Sequence, residues 1–328
     1  MMETEDQSEL CFPQLINISC RKPTSHWSEG VLLTVLLAII SVVTVVLNLL
    51  VIISISHFRQ LRTPTNLLLL SLAVSDCLVG LLVMPGEILR QTSCWTLGDV
   101  VCLLYNYMSY FVTSVSVGNM VLISADRYVA ICDPLHYNTK VTVKRVQLCV
   151  CLCWFLALLY CSIILKDQLT HPGKYKSCYG ECTAVIDYYA GVVDVVVTFI
   201  LPLSVIIALY MRVFVVAVSQ ARAMRSHVTS VKLQHPVSVR AKKSEMKAAR
   251  TLGVLVLVFL LCFCPYYIVT LMGGSFASYL MFVLNVFYFN SCLNPLIYAL
   301  FYPWFRRAVR HIVTLHILQP GSWGDNIL

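Results

Sequence analysis

Asp194 is a carboxylate set inside an apolar run, residues 188–216. Burying such a group is costly, so it takes up a proton, finds hydrogen-bond donors or waits for a cation. An alkylammonium ion, with a pKa of about 10, arrives charged at neutral pH and would satisfy it. The competing reading is a polar lining residue held by neighbours such as Thr198 or Tyr110. Asp76 closes the run Leu72-Ala73-Val74-Ser75-Asp76, and Asp126 precedes Arg127 and Tyr128 at the end of another apolar stretch. Charges in such places must pair or face a polar interior. Glu87 and Asp187 sit nearer the ends of their segments and read as solvated rim charges. No nucleophile–base pair, metal-ligand spacing or phosphate-cradling loop is evident, so an enzyme is not expected.

The elements that would hold these acids are long and apolar. The chain has 328 residues, 59% hydrophobic and 12% charged, with mean hydropathy +0.78. Soluble proteins carry about 25% charged residues, so the composition is that of a polytopic, all-α membrane protein. Seven segments, 31–56, 66–89, 102–131, 146–165, 188–216, 249–271 and 280–300, exceed the roughly 17 residues that a spanning helix needs. The net charge of +8 does not indicate nucleic acid. Its basic residues cluster in short loops, among them Arg59, Arg62, Lys140, Arg145 and Arg306, which makes those sides cytoplasmic and the N-terminus extracellular. Residues 1–30 form a polar outer tail without the apolar stretch of a cleavable signal, so the first span is expected to act as signal anchor. Residues 31–302 form the helix bundle, with a flexible basic loop at about 216–248. Residues 303–328 form a short amphipathic eighth helix on the inner leaflet, in contact with lipid, and a tail.

Segment 102–131 organises the rest. As a helix it is about 45 Å long, enough to cross a bilayer at a tilt. Ser109, Thr113, Ser114, Ser116 and Ser124 punctuate it, as suits a central helix lining a polar interior. Ser109 lies 18 residues before Arg127, about 27 Å above the cytoplasmic end. Asp194 lies about 9 Å below the outer start of the fifth segment, at a similar depth. Tyr110, Phe263, Tyr266, Tyr267 and Tyr288 are candidate pocket walls, since ammonium ions favour aromatic faces. Thr113, Ser114 and Thr198 offer hydroxyls to a ligand.

Cys102 followed by Asp126-Arg127-Tyr128 resembles the third helix of rhodopsin-like G-protein-coupled receptors. The seventh segment, Asn290-Ser291-Cys292-Leu293-Asn294-Pro295-Leu296-Ile297-Tyr298 with Tyr302, Trp304 and Phe305, is similar to the fingerprint of trace amine-associated receptors. The resemblance runs from about residue 10 to 315 and implies a seven-helix bundle whose ligand is a small amine and whose partner is a heterotrimeric G protein. It further implies a stimulatory G protein, cyclic AMP and an olfactory role. It makes Cys102–Cys182 the expected disulfide, with Cys178 joined to Cys20, or to Cys11 as the alternative. It places a regulatory sodium ion at Asp76 with Ser116, Asn290 and Asn294; a water-filled network without an ion is the competing reading. It pairs Arg127 with Asp126 and Glu245, and has Tyr210 and Tyr298, in the Asn294-Pro295-x-x-Tyr298 motif, swing in to hold Arg127 in the active form.

Two departures stand out. Most trace amine receptors carry an aspartate where Ser109 stands; here, as in some fish members, the acid is on the fifth helix. Phe263 replaces the family's usual tryptophan. A rhodopsin-like receptor for a non-amine ligand therefore stays open. A transporter predicts an internal repeat, which is not seen. Asn17-Ile18-Ser19, on the outer side, is a glycosylation sequon.

Overall fold

The computed structural model describes residues 10–22, 27–174, 176–184, 186–230, 236–272 and 277–327, and the backbone alone at 27–30, 217, 220–230, 236–252 and 277–278. Seven helices long and apolar enough to cross a membrane follow one another. Helix α1 is Trp27–His57. Helix α2 spans Pro64–Thr92, with a π-turn at Val79–Val83. Helix α3 is Gly98–Cys132, and α4 is Val143–Ile164. Helix α5 is built from Tyr188–Val195, a π-turn at Val196–Ile200 and Leu201–Ser230. Helix α6 is Pro236–Met272, α7 is Ala277–Phe301 and α8 is Pro303–Val313.

Local chemistry explains the boundaries. The Thr63 hydroxyl caps α2 by accepting from the Asn66 amide at 3.3 Å, ahead of Pro64 in the first turn. Thr142 caps α4 in the same way at 3.4 Å. Pro265 and Pro295 lie inside α6 and α7, where each removes a backbone donor from the helix ladder. The exposed faces of α1, α4 and α5 carry Leu, Val and Ile, among them Leu32, Leu156 and Leu201, as a lipid-facing surface requires.

α3 is the hub, packing against α2, α4, α5 and α6. Its buried face includes Asn106, Val112, Ser116, Asn119, Met120, Ser124 and Asp126, so the small and polar residues do face inward. The loop expected to be flexible at 216–248 is instead mostly helix: α5 runs on to Ser230 and α6 begins at Pro236. Its composition explains this, since Ala, Arg, Lys, Glu and Met are strong helix formers and Pro is favoured at a first turn. α8 buries Trp304, Phe305 and Ala308, while Arg306 donates to the Ala299 and Leu300 carbonyls at 2.9 and 3.0 Å and closes the end of α7.

Three disulfides lie on the outer side: Cys102–Cys182, Cys20–Cys178 and Cys11–Cys94. The first staples the outer loop to α3. The second ties the N-terminal tail to that loop, and the third ties the tail to the end of α2. The Cys11–Cys94 bridge escaped the sequence reading, which offered Cys11 only as an alternative partner for Cys178. Asn17 is exposed on this tail, and the sequon serine Ser19 accepts from the Phe12 amide at 2.8 Å.

Candidate functional site

A cavity of about 70 Å³ opens in the outer half of the bundle. α3 contributes Ser109, Tyr110, Thr113 and Ser114, α5 Asp194 and Thr198, α6 Tyr266 and Tyr267, and α7 Leu284, Phe287 and Tyr288. All the ligand-contact candidates named from sequence meet here except Phe263. That ring is buried one layer below, stacked on Phe259 and tilted against Phe287, with centroids 4.1 Å from each. It touches the floor, through Phe287, rather than the cavity. Its register explains the displacement: it precedes Pro265, while the pocket walls Tyr266 and Tyr267 follow it.

Asp194 lies just before the π-turn of α5 and is half-buried. Neither Thr198 nor Tyr110 holds its carboxylate. The Tyr160 hydroxyl on α4 does, donating to Oδ1 at 2.6 Å. Thr198 is occupied elsewhere, donating to the Asp194 backbone carbonyl at 2.7 Å and meeting the Tyr267 hydroxyl at 3.0 Å. Tyr267 in turn stacks on Phe199 at 4.3 Å. Among the described residues no Lys, Arg or His forms an ion pair with Asp194. On the facing wall Ser109 and Tyr288 share a hydrogen bond of 2.7 Å, so the α3 position that lacks an acid is closed by a neutral pair. The pocket thus presents one carboxylate with one neutral donor, surrounded by aromatic rings. Such a site can bind a small cation by charge and by ring faces together.

Glu87 is not a rim charge. It is 3% exposed and accepts from Arg90 Nε at 3.0 Å, from Gln91 Nε2 at 2.6 Å and from the Tyr105 hydroxyl. Gln91 and Asn285 exchange amide hydrogen bonds of 3.2 and 3.3 Å. The cluster joins α2, α3 and α7 above the pocket. Its own partners neutralise it, which a position near a segment end did not reveal. Asp187, in contrast, is exposed and caps α5 through the Tyr189 amide at 3.3 Å.

Deeper in the bundle, Asn294 Nδ2 donates to Asp76 Oδ2 at 2.8 Å and to Asn290 Oδ1 at 3.4 Å. Ser116 bonds the Ser75 hydroxyl at 3.0 Å, so it reaches the group only indirectly. Asn48 Nδ2 ties α1 to the Ser291 carbonyl at 2.9 Å. Asp76 Oδ1 and Asn294 Oδ1 are buried and take no hydrogen bond among the described residues. A carboxylate oxygen and an amide oxygen left without donors are a set that fits a small hard cation.

At the inner end of α3, Asp126 and Arg127 form an ion pair through Arg127 Nε at 2.9 Å and a shorter contact from Nη2. Asp126 is sealed further by Thr65 Oγ1 at 3.0 Å and the Tyr137 hydroxyl at 2.8 Å, and Arg127 also donates to Thr65. Burial first, and the Asp126 carboxylate next, push the Tyr137 phenol up, which keeps it a donor. Tyr210 and Tyr298 have buried hydroxyls with no hydrogen bond among the described residues. The Glu245 side chain lies outside the described residues. Thr65, Tyr137 and Tyr160 were not singled out from sequence; a lone tyrosine or threonine in a segment of ordinary composition carries no signal for them.

The description "7 transmembrane receptor (rhodopsin family)" matches residues 47–298. Trace amine-associated receptor 13c of Danio rerio is 39% identical over 98% of this chain and 97% of its own length. Trace amine-associated receptor 8c of Rattus norvegicus is 38% identical, over 96% and 95%. Trace amine-associated receptor 1 of Homo sapiens is 36% identical, over 94% and 95%. The chain belongs to the trace amine-associated receptor family of rhodopsin-family receptors: a multi-pass plasma-membrane protein that is a receptor for a small molecule coupled to a heterotrimeric G protein, and not an enzyme.

Proposed function

We propose that this receptor binds a protonated amine in the outer half of the bundle, with Asp194 as the partner of the ammonium group. The observation that carries the reading is the Asp194 carboxylate in an aromatic-walled cavity, held by Tyr160 alone and lacking a basic partner among the described residues. A protonated amine would supply the missing charge. Tyr110, Tyr266 and Tyr267 would supply aromatic surface to the cation, and Thr113 a hydroxyl to a ligand's other end. The receptor's relatives are named as trace amine-associated receptors, which agrees with this chemistry.

Binding would bias a two-state element. In the closed form Arg127 is held by Asp126 and Thr65. In the open form Arg127 would leave Asp126 and Glu245 and meet Tyr210 and Tyr298. Their unpartnered hydroxyls support that reading, since buried donors call for an alternative partner. The G protein recruited is of the stimulatory class, raising cyclic AMP, and the role is olfactory; both rest on the family likeness. A sodium ion at Asp76, Asn290 and Asn294, with Ser116 behind Ser75, would favour the closed form, and Asn17 would carry a glycan.

The test is cyclic AMP accumulation in cells expressing the receptor, with mono- and diamines against neutral isosteres of equal size. Activation by amines and silence with isosteres supports the reading. Activation by isosteres at equal potency overturns the amine and leaves the non-amine receptor. Amine responses seen only through another G-protein class overturn the stimulatory assignment.

A further inference from the structure

The last turn of α8 and the tail after it carry a cluster that neither the pocket nor the switch uses. After Val313 the chain reverses: Leu315 is left-handed, with φ 57°, and leads into a turn at His316–Leu318. Gly321, at φ 89°, turns the chain again and returns Asp325 to the helix. His311 Nδ1 then lies 3.6 Å from Asp325 Oδ2, and His316 Nδ1 lies 3.5 Å from the same oxygen. The three ligand atoms all fall within 4.8 Å of one another.

These separations are too long for hydrogen bonds. His311 Nδ1 and Asp325 Oδ2 are shut off from solvent, and neither has a hydrogen-bond partner among the described residues. Two ring nitrogens and a carboxylate oxygen drawn together at such distances, two of the three atoms shut off from solvent, form a set that an ion between them would complete. Zinc bonds of about 2.0–2.1 Å at tetrahedral angles put neighbouring ligand atoms roughly 3.3 Å apart, close to the two distances observed. Two imidazoles and a carboxylate suit a transition metal such as zinc better than calcium or magnesium, which take oxygen ligands.

We propose that His311, His316 and Asp325 form a zinc site on the cytoplasmic tail, with a fourth position for water. The site would clip the tail to the foot of α1, where packing has already placed it. The Trp323 ring lies 4.1 Å under the Arg59 guanidinium, His57 Nε2 meets Ser322 Oγ at 3.1 Å, and Ile327 is fully buried. The ion closes an arrangement that is largely pre-formed, so little ordering cost opposes its binding.

The experiment uses the full-length receptor in detergent micelles, purified without a histidine tag and stripped with chelator. Zinc is titrated against a competing fluorescent chelator, and X-ray absorption is recorded on the singly loaded wild type. The nine free cysteines offer alternative ligands, so the ligand type decides. The expected absorption shell is nitrogen and oxygen at about 2.0–2.1 Å. His311→Ala and Asp325→Asn should each weaken the tightest site by tenfold or more, while His136→Ala, whose ring pairs with Asp133 and is not a member of the cluster, should not. A sulfur shell at about 2.3 Å overturns the proposal, as does a wild type without a tight site. So does unchanged affinity in both variants, once their melting in chelator matches the wild type. The absorption result on the wild type needs no variant to fold.

Discussion

Glu87 and Arg90 give the sharpest prediction about how the outer half is held. Losing one member of a buried ion pair costs about 3–5 kcal/mol, because the other charge is left uncompensated. Arg90 keeps 23% of its side-chain exposure and Glu87 only 4%. Glu87→Gln therefore strands a charge that can partly rehydrate and should cost about 3 kcal/mol, at the low end of that range. Arg90→Met strands the sealed carboxylate, with only Tyr105 and Gln91 still donating, and should cost nearer to about 5 kcal/mol. The double variant Glu87→Gln/Arg90→Met strands neither charge, so it should cost no more than Arg90→Met alone. Its loss should then fall short of the sum of the two single losses by about 3 kcal/mol. Denaturant unfolding in mixed micelles reads the energies, and surface counts of tagged receptor read the consequence in cells, where each single variant should lose abundance several-fold. Additive losses, or single variants as stable as the wild type, would refute the reasoning and return Glu87 to the solvated rim.

Other predictions bear on the site. Tyr160→Phe removes the one hydroxyl on the Asp194 carboxylate, a hydrogen bond to a charged group of about 1.5–3 kcal/mol; amine potency should fall by at least about tenfold with surface expression unchanged. Asp126→Asn removes the counter-charge that holds Arg127 closed, so agonist-independent nucleotide exchange on purified G protein should rise; an unchanged basal rate would count against the lock. If sodium binds at Asp76, replacing sodium chloride with potassium chloride should raise agonist affinity in the wild type and leave Asp76→Asn unmoved. Equal sensitivity in both proteins would favour a water-filled network.

Much of this was legible in the sequence because membrane proteins obey few rules. Every span must be long and apolar, so the seven helices and their orientation follow from composition and from loop charge. Asp194 and Ser109 could be placed at one level because helical rise converts sequence separation into depth. Depth is what spacing encodes well; azimuth is not. Tyr160 comes to Asp194 from another helix, by a rotation of α4 that no spacing predicts. Glu87 was misread for the same reason: its height was right, but its partners come from the inward face of α2 and from α3. The Cys11–Cys94 bridge was missed because connectivity among six outer cysteines depends on loop paths. The helical extensions of α5 and α6 were hidden by polarity, since a solvated helix needs no apolar stripe.

The central claim is that Asp194 is the ammonium anchor. The most direct measurement is the concentration–response of wild type and Asp194→Asn to one activating amine and its neutral isostere, at matched surface expression. Asparagine keeps the shape and removes the charge. Truncating one partner of a buried, hydrogen-bonded charge pair costs about 2–5 kcal/mol, so amine potency should fall by at least about thirtyfold, while any residual response to the neutral isostere should not fall. Equal amine potency in the two proteins would contradict the account and put the anchor elsewhere.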